Sequence, residues 1–159
     1  ARPGCERVLI VDWDVHHGNG TQALVEHEPR IHFVSMQQWP WYPGTGAADD
    51  CGPLGTIFNV PMAAGLAPEA YVHALLQAVD AATTDFTPDL VLVSAGFDCL
   101  SGDPLGGFTL TDTEIGALTR ALVSRATTWC DGRLVSALEG GYDPDAVAAA
   151  VMVHLAALA

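Results

Sequence analysis

Residues 8–20 read VLIVDWDVHHGNG, and the rest of the chain can be laid out from this stretch. VLIV at 8–11 is a continuous apolar run, too short for a helix. Such a run suits a strand covered on both faces, as in a parallel sheet. It leads directly into Asp12, Asp14, His16 and His17, then Gly18 and Gly20. Ligand-type side chains therefore gather where the strand ends. In extended backbone, side chains two apart point the same way, so Asp14 and His16 can grip one ion and Asp12 shares their side.

Three more apolar runs read as buried strands: IHFVSM at 31–36, LVLVSA at 90–95 and LVSAL at 134–138. Helical segments lie between them. A short one is expected over 20–27. The segment 68–86 opens on Pro68 at a first-turn position and carries Tyr71, Leu75, Ala78, Val79 and Ala82 along one stripe. Asp112–Trp129 follows Thr111, which with Glu114 fits a capping box. An alanine-rich helix is expected over 144–158. The alternation predicts an α/β fold, a three-layer sandwich with a mainly parallel sheet. Residues 37–67, rich in glycine, proline and aromatics, break the pattern and read as an ordered active-site loop. No repeat or second domain is visible, so 1–159 is read as one domain.

The chain has 159 residues, half of them hydrophobic, enough for a real core. With 19 acidic and 6 basic residues its net charge is −13, which excludes a cationic nucleic-acid surface and favours cationic substrates or mere solubility. All the basic residues are arginines; the lack of lysine with abundant Ala and Gly is compatible with a GC-rich bacterial genome. Cys5, Cys51, Cys99 and Cys130 form neither a CxxC pair nor zinc-finger spacing, so reduced thiols and a cytoplasmic setting are expected. ARPGCER at 1–7 has no apolar signal region, and VAAAVMVHLAALA at 147–159 is too short for a bilayer. The chain opens without methionine and its first strand begins by residue 8, so a piece of something longer is expected, with an exposed sheet edge and uncovered apolar surface.

Asp98 follows the 90–95 strand through Gly96 and Phe97. In an open parallel sheet, strand carboxyl ends collect the ligand-binding residues, so Asp14, His16 and Asp98 can converge. Two carboxylates and one imidazole leave a zinc position open for water. A turn or salt-bridged pair is the plain alternative for Asp14 and His16. Asp12 suits the orientation of a ligand or catalytic group, and Asp103 the bracing of the turn before Pro104. Tyr142 follows Gly140 and Gly141, where a phenol can donate to a developing oxyanion; ordinary surface packing is its alternative. Three other readings compete. A haloacid-dehalogenase-type phosphatase fits Asp12 and Asp14 but needs a lysine. A dinuclear ureohydrolase needs more paired Asp and His ligands. A metal- or protein-binding domain without turnover needs neither.

VDWDVHHGNGTQ, WYPGTG, NVPM, SAGFDCLSGDPLGGF and LEGGYD occur in an order and spacing that resemble the histone deacetylase superfamily over nearly the whole chain, particularly class II-like enzymes and acetylpolyamine amidohydrolase-like members. The resemblance implies a zinc-dependent hydrolase of acetyl-lysine or N-acetylpolyamine on an arginase/deacetylase-like fold. It implies metal ligands at Asp14, His16 and Asp98, a transition-state tyrosine at Tyr142, and at Asp12 a carboxylate that orients a catalytic histidine. Tyr42 matches the aromatic wall of the acyl-lysine tunnel, and Gly141 a glycine at its rim. A structural K+ site is implied around Asp12, Asp14, His16, Ser35 and Met36. Asn19 matches many class II-like members. The family's paired acid–base histidines precede the first metal motif, where this sequence has only ARPGCER, so this stretch alone is expected to be inactive. No direct nucleic-acid binding or membrane attachment is expected; a homo-oligomer stays open.

Overall fold

The computed structural model describes residues 4–159; residues 1–3, where the ARPGCER stretch begins, lie outside it. Five strands and four helices follow one another as β1 (Val8–Asp12), α1 (Asn19–Val25), β2 (Ile31–Gln38), β3 (Ile57–Met62), α2 (Pro68–Ala82), β4 (Leu90–Ala95), α3 (Asp112–Cys130), β5 (Leu134–Leu138) and α4 (Pro144–Leu158). The sheet order is β3-β2-β1-β4-β5, and every pairing is parallel. The expected α/β architecture is present.

Alternation along each strand divides the core. Leu9 and Val11 of β1, Val34 and Met36 of β2, and Val91 and Val93 of β4 face α2, α3 and α4. Ile10, Phe33 and Ile57 face the other way, toward Val25 of α1. The two layers of helix are therefore unequal, one short helix against three longer ones. On α2, Tyr71, Leu75, Val79 and Ala82 are buried as the stripe required, while Ala78 is only half-buried.

Local chemistry sets the helix ends. The Thr111 side chain accepts from Thr113 N, and Glu114 reaches back to Thr111 N at 2.8 Å, completing the capping box of α3. Asp143 caps α4 by accepting from Asp145 N and Ala146 N, with Pro144 in the first turn. Buried His154 then ties α4 into the sandwich. Thr119 Oγ1 donates to Ile115 O and so accepts from His154 Nδ1 at 2.7 Å, which leaves Nε2 to accept from Ser136 Oγ at 2.8 Å.

Two expectations need correction. Residues 57–62, assigned to the long loop, form the edge strand β3. Pro61 in its middle masked it in the sequence; an edge position tolerates proline because one side needs no backbone donor. Helix α2 stops at Ala82 rather than continuing to residue 86. The Thr83 and Thr84 hydroxyls bond back to the Val79 and Asp80 carbonyls, competing with continued helix. At the opposite edge, β5 lacks an outer neighbour among the described residues and leaves Val135 and Leu138 exposed, with Met152 and Leu155 of α4 also exposed. This is the open edge and uncovered apolar surface expected from the sequence.

Replacing Leu75 by alanine is expected to cost about 2–5 kcal/mol, since the side chain is fully buried among three helices and the sheet. Gln77→Ala, on the exposed side of the same helix, should stay within about 0.5 kcal/mol of the parent in urea unfolding.

Candidate metal centre

Chain direction reverses across β1. The path runs from β1 outward to β2 and β3, then returns to place β4 on the other side of β1. The carboxyl ends of β1 and β4 thus flank a topological switch point, where open parallel sheets bind ligands. Asp14 and His16 leave one strand there, and Asp98 leaves the other. Backbone bonds pin the three segments: Trp13 N to Ser94 O, Phe97 N to Gly140 O, and Glu139 N to Ala95 O.

One potential ligand atom from each of Asp14, His16 and Asp98 lies within 4.8 Å of the others. His16 Nδ1 is 3.0 Å from Asp14 Oδ1 and 3.2 Å from Asp98 Oδ2. Each carboxylate is held by the backbone. Asp14 Oδ1 accepts from His16 N and Oδ2 from Gly140 N, both at 2.8 Å. Asp98 Oδ1 accepts from Val15 N at 2.8 Å. Asp98 Oδ2 is buried and has no hydrogen-bond partner, because the His16 contact lacks the alignment of one. An orphaned buried carboxylate oxygen facing an imidazole and a second carboxylate is a donor set that fits a divalent cation.

The electrostatics agree. Burial, and then the charge of Asp14, push the Asp98 carboxyl up to about 7. Asp12 is buried on the same side and is likewise raised, by burial first, against the lowering effect of the Asp14 N–H that its Oδ1 accepts at 3.0 Å. Partial burial and the carboxylates of Asp98, Asp14 and Asp103 raise the Tyr142 phenol, which stays protonated at neutral pH.

Asp12, Asp14, His16 and Tyr142 line a cleft of about 800 Å³, with Asp98 buried beside it against His16. Tyr42 stands on its rim, 77% exposed, with its ring 6.0 Å from that of His16. Tyr142, 48% exposed, stands 6.3 Å from the same imidazole. Gly141 lines the wall with φ 142°, and a Cβ there would meet Val147 and Phe97. Ser35 lies opposite Asp12 in the β1–β2 register, and both Ser35 and Met36 are fully buried. Asn19 begins α1. Asp50 accepts from Gln22 Nε2 at 2.8 Å.

Sequence reasoning passed over two features. Gly140, which the sequence offers as a residue permitting close approach near Tyr142, serves the carboxylates instead: a Cβ there would collide with the side-chain oxygens of both Asp98 and Asp14. His17, grouped in the sequence with the ligand-type side chains past the first strand, stands in a separate network. The Asp50 bond orients Gln22, whose Oε1 then accepts from His17 Nε2 at 2.9 Å and from Asn59 Nδ2 at 3.0 Å. His17 Nδ1 must then accept from Thr45 Oγ1 at 2.8 Å. Both ring nitrogens are engaged, and burial lowers the ring's proton affinity. Proximity to His16 in sequence carried no signal of this network.

The histone deacetylase domain model matches residues 1–158. The chain belongs to the histone deacetylase family. An uncharacterised protein of Synechocystis sp. is 44% identical over 97% of the chain and 49% of its own length. A protein of Archaeoglobus fulgidus named as a probable deacetylase is 38% identical, covering 89% of the chain and 40% of that protein. The crystal structure of acetylpolyamine aminohydrolase from Burkholderia pseudomallei superposes with a TM-score of 0.88 at 27% identity, over 99% of the chain and 46% of its own. The chain thus spans about half or less of the length of these deacetylase-family relatives.

Zinc binding at pH about 6 is expected to release close to one proton, falling toward zero by pH about 8, because Asp98 must ionise before it can ligate. Without metal, the stability Asp98 gives by holding its proton more tightly than in the unfolded chain is present at acid pH and lost as pH rises through about 7. Calorimetry in buffers of different ionisation enthalpy reads the release, and Asp98→Asn should abolish it. Gly140→Ala should cut zinc stoichiometry, measured by native mass spectrometry, through the collision of its methyl with both carboxylates.

Proposed function

We propose that this chain carries the metal-binding and oxyanion-stabilising part of a zinc-dependent deacetylase acting on N-acetylated amines, acetyl-lysine or an N-acetylpolyamine. The observation that supports it most is the convergence of Asp14, His16 and buried Asp98 beside a cleft that Asp14, His16 and Tyr142 line, in a chain of this family. Asp14, His16 and Asp98 are the proposed ligands. A bound zinc supplies Lewis acidity and activates a nucleophilic water at neutral pH.

The chain's own side chains do the remainder. Tyr142, protonated and aimed into the cleft, donates a hydrogen bond to the charge developing on the acetyl carbonyl oxygen. Tyr42, Trp41 and Leu105 offer apolar surface to the methylene stem of the substrate, and Gly141 keeps the wall close. Asp12 lines the cleft and is placed to orient a catalytic histidine brought by other residues of the intact protein. A structural K+ at Asp12, Asp14, His16, Ser35 and Met36 draws support from the Asp12–Ser35 register. The charge of −13 favours cationic substrates over nucleic acid. No described helix is long and apolar enough to cross a membrane.

Among the described residues His16 and His17 are the histidines lining the cleft, one assigned to the metal and one hydrogen-bonded at both nitrogens. This stretch by itself is therefore expected to turn over little, and the same observation supports a non-catalytic metal-binding role as the second reading. Deacetylation of an acetyl-lysine peptide and of an N-acetylpolyamine by the intact protein decides between them. Activity should vanish on chelation and return with zinc, and Tyr142→Phe should lower kcat by about 10²–10³-fold. Zinc binding without turnover in the intact protein would favour the non-catalytic reading.

A further inference from the structure

Asp103 lies in the loop between β4 and α3 and is buried, at 7% exposure. It takes part in none of the described ion pairs. Both of its oxygens are spent on backbone donors. Oδ1 accepts from Leu105 N at 2.8 Å, the ordinary aspartate turn two residues on. Oδ2 accepts from Tyr142 N at 2.7 Å, across 39 residues of sequence. The first bond braces the turn before Pro104; the second has nothing to do with that turn. The Leu105 carbonyl in turn accepts from Trp41 Nε1 at 2.9 Å. One carboxylate thereby clasps the loops that follow β4 and β5, with the loop after β2 joined through Leu105. Each loop brings a cleft-lining residue, Leu105, Tyr142 and Trp41.

Tyr142 itself makes no other hydrogen bond among the described residues, while Gly140 before it is tied to Asp14 and Phe97, and Asp143 after it caps α4. Gly140 and Gly141 precede it without side chains, and Gly141 holds φ 142°, outside the range of other residues. Among the described residues its phenol makes no hydrogen bond, and nearly half of the side chain is exposed. At 2.7 Å, the Asp103 contact is the hydrogen bond that restrains the Tyr142 backbone directly.

We propose that Asp103 is the positioning residue for Tyr142, fixing where the phenol stands over the metal cluster and coupling that position to the Leu105–Trp41 wall. The proposal rests on the deacetylase reading, in which Tyr142 is the oxyanion donor.

The test is a double-mutant cycle in the intact, zinc-loaded protein with an acetyl-lysine peptide. Asp103→Asn turns an amide donor toward one of the two N–H groups and breaks that bond. It should lower kcat about 10-fold or more with KM within about twofold, since small misplacements of a catalytic group are costly. In a Tyr142→Phe background the same change should cost less than about twofold. Asp103→Glu, which keeps the charge and both oxygens, should restore part of the loss. An equal loss in both backgrounds overturns the proposal, because a plain turn brace would act regardless of the phenol; no loss in either overturns it too. If Asp103→Asn fails to fold, Asp103→Glu carries the same comparisons. A second arm needs neither metal nor turnover. In [13C]tyrosine NMR, Asp103→Asn should shift or broaden the Tyr142 signal and leave Tyr71 unchanged, and an unaltered Tyr142 signal overturns the clasp. An inactive wild type would sink the deacetylase reading alone, leaving the NMR arm to judge Asp103.

Discussion

Asp14 and Asp98 are held against each other with the His16 imidazole between them, in a setting whose burial opposes the charge of Asp98. Asp98 is wholly buried and one of its oxygens has no hydrogen-bond partner. Its carboxyl is pushed up to about 7 by burial and by its neighbour. Folding gives up hydration here that it could have kept with a different residue. A divalent cation held there would remove the conflict, since it would supply the opposite charge and the missing partner together.

The surrounding architecture serves that conflict. Backbone N–H groups of His16, Gly140 and Val15 grip the two carboxylates, fixing their orientation. Glycines at 96 and 140 exist for proximity: a Cβ at either would strike Asp14. The sheet order puts β1 beside β4, so segments more than eighty residues apart in sequence meet at one crevice.

A separate polar network holds the long β2–β3 connection. Gln37 Nε2 donates to Gly46 O at 2.6 Å, and His17, Gln22, Asn59 and Asp50 bond one another beside it. That connection carries Trp41 and Tyr42 to the cleft rim. His17 belongs to this framework, which is why its neighbour alone joins the carboxylates. Adjacent histidines in one motif thus have unrelated tasks, set by the partners each ring meets once the chain is folded.

The sequence by itself determined the parallel α/β plan, four of the five strands, the capping box of α3 and the candidate cluster at Asp14, His16 and Asp98. Those features are written in local terms: apolar runs, turn and cap residues, and ligand-type side chains just past strand ends. It did not determine β3, because Pro61 and flanking glycines look like loop until a neighbouring strand accepts the edge. Nor did it reveal the orphaned oxygen of Asp98, the tied ring of His17 or the reach of Asp103 to Tyr142. Each depends on which groups are left unpaired, or newly paired, once distant segments pack together. Local pattern fixes what an element is, whereas burial and long-range hydrogen bonding decide what a polar side chain inside it is free to do.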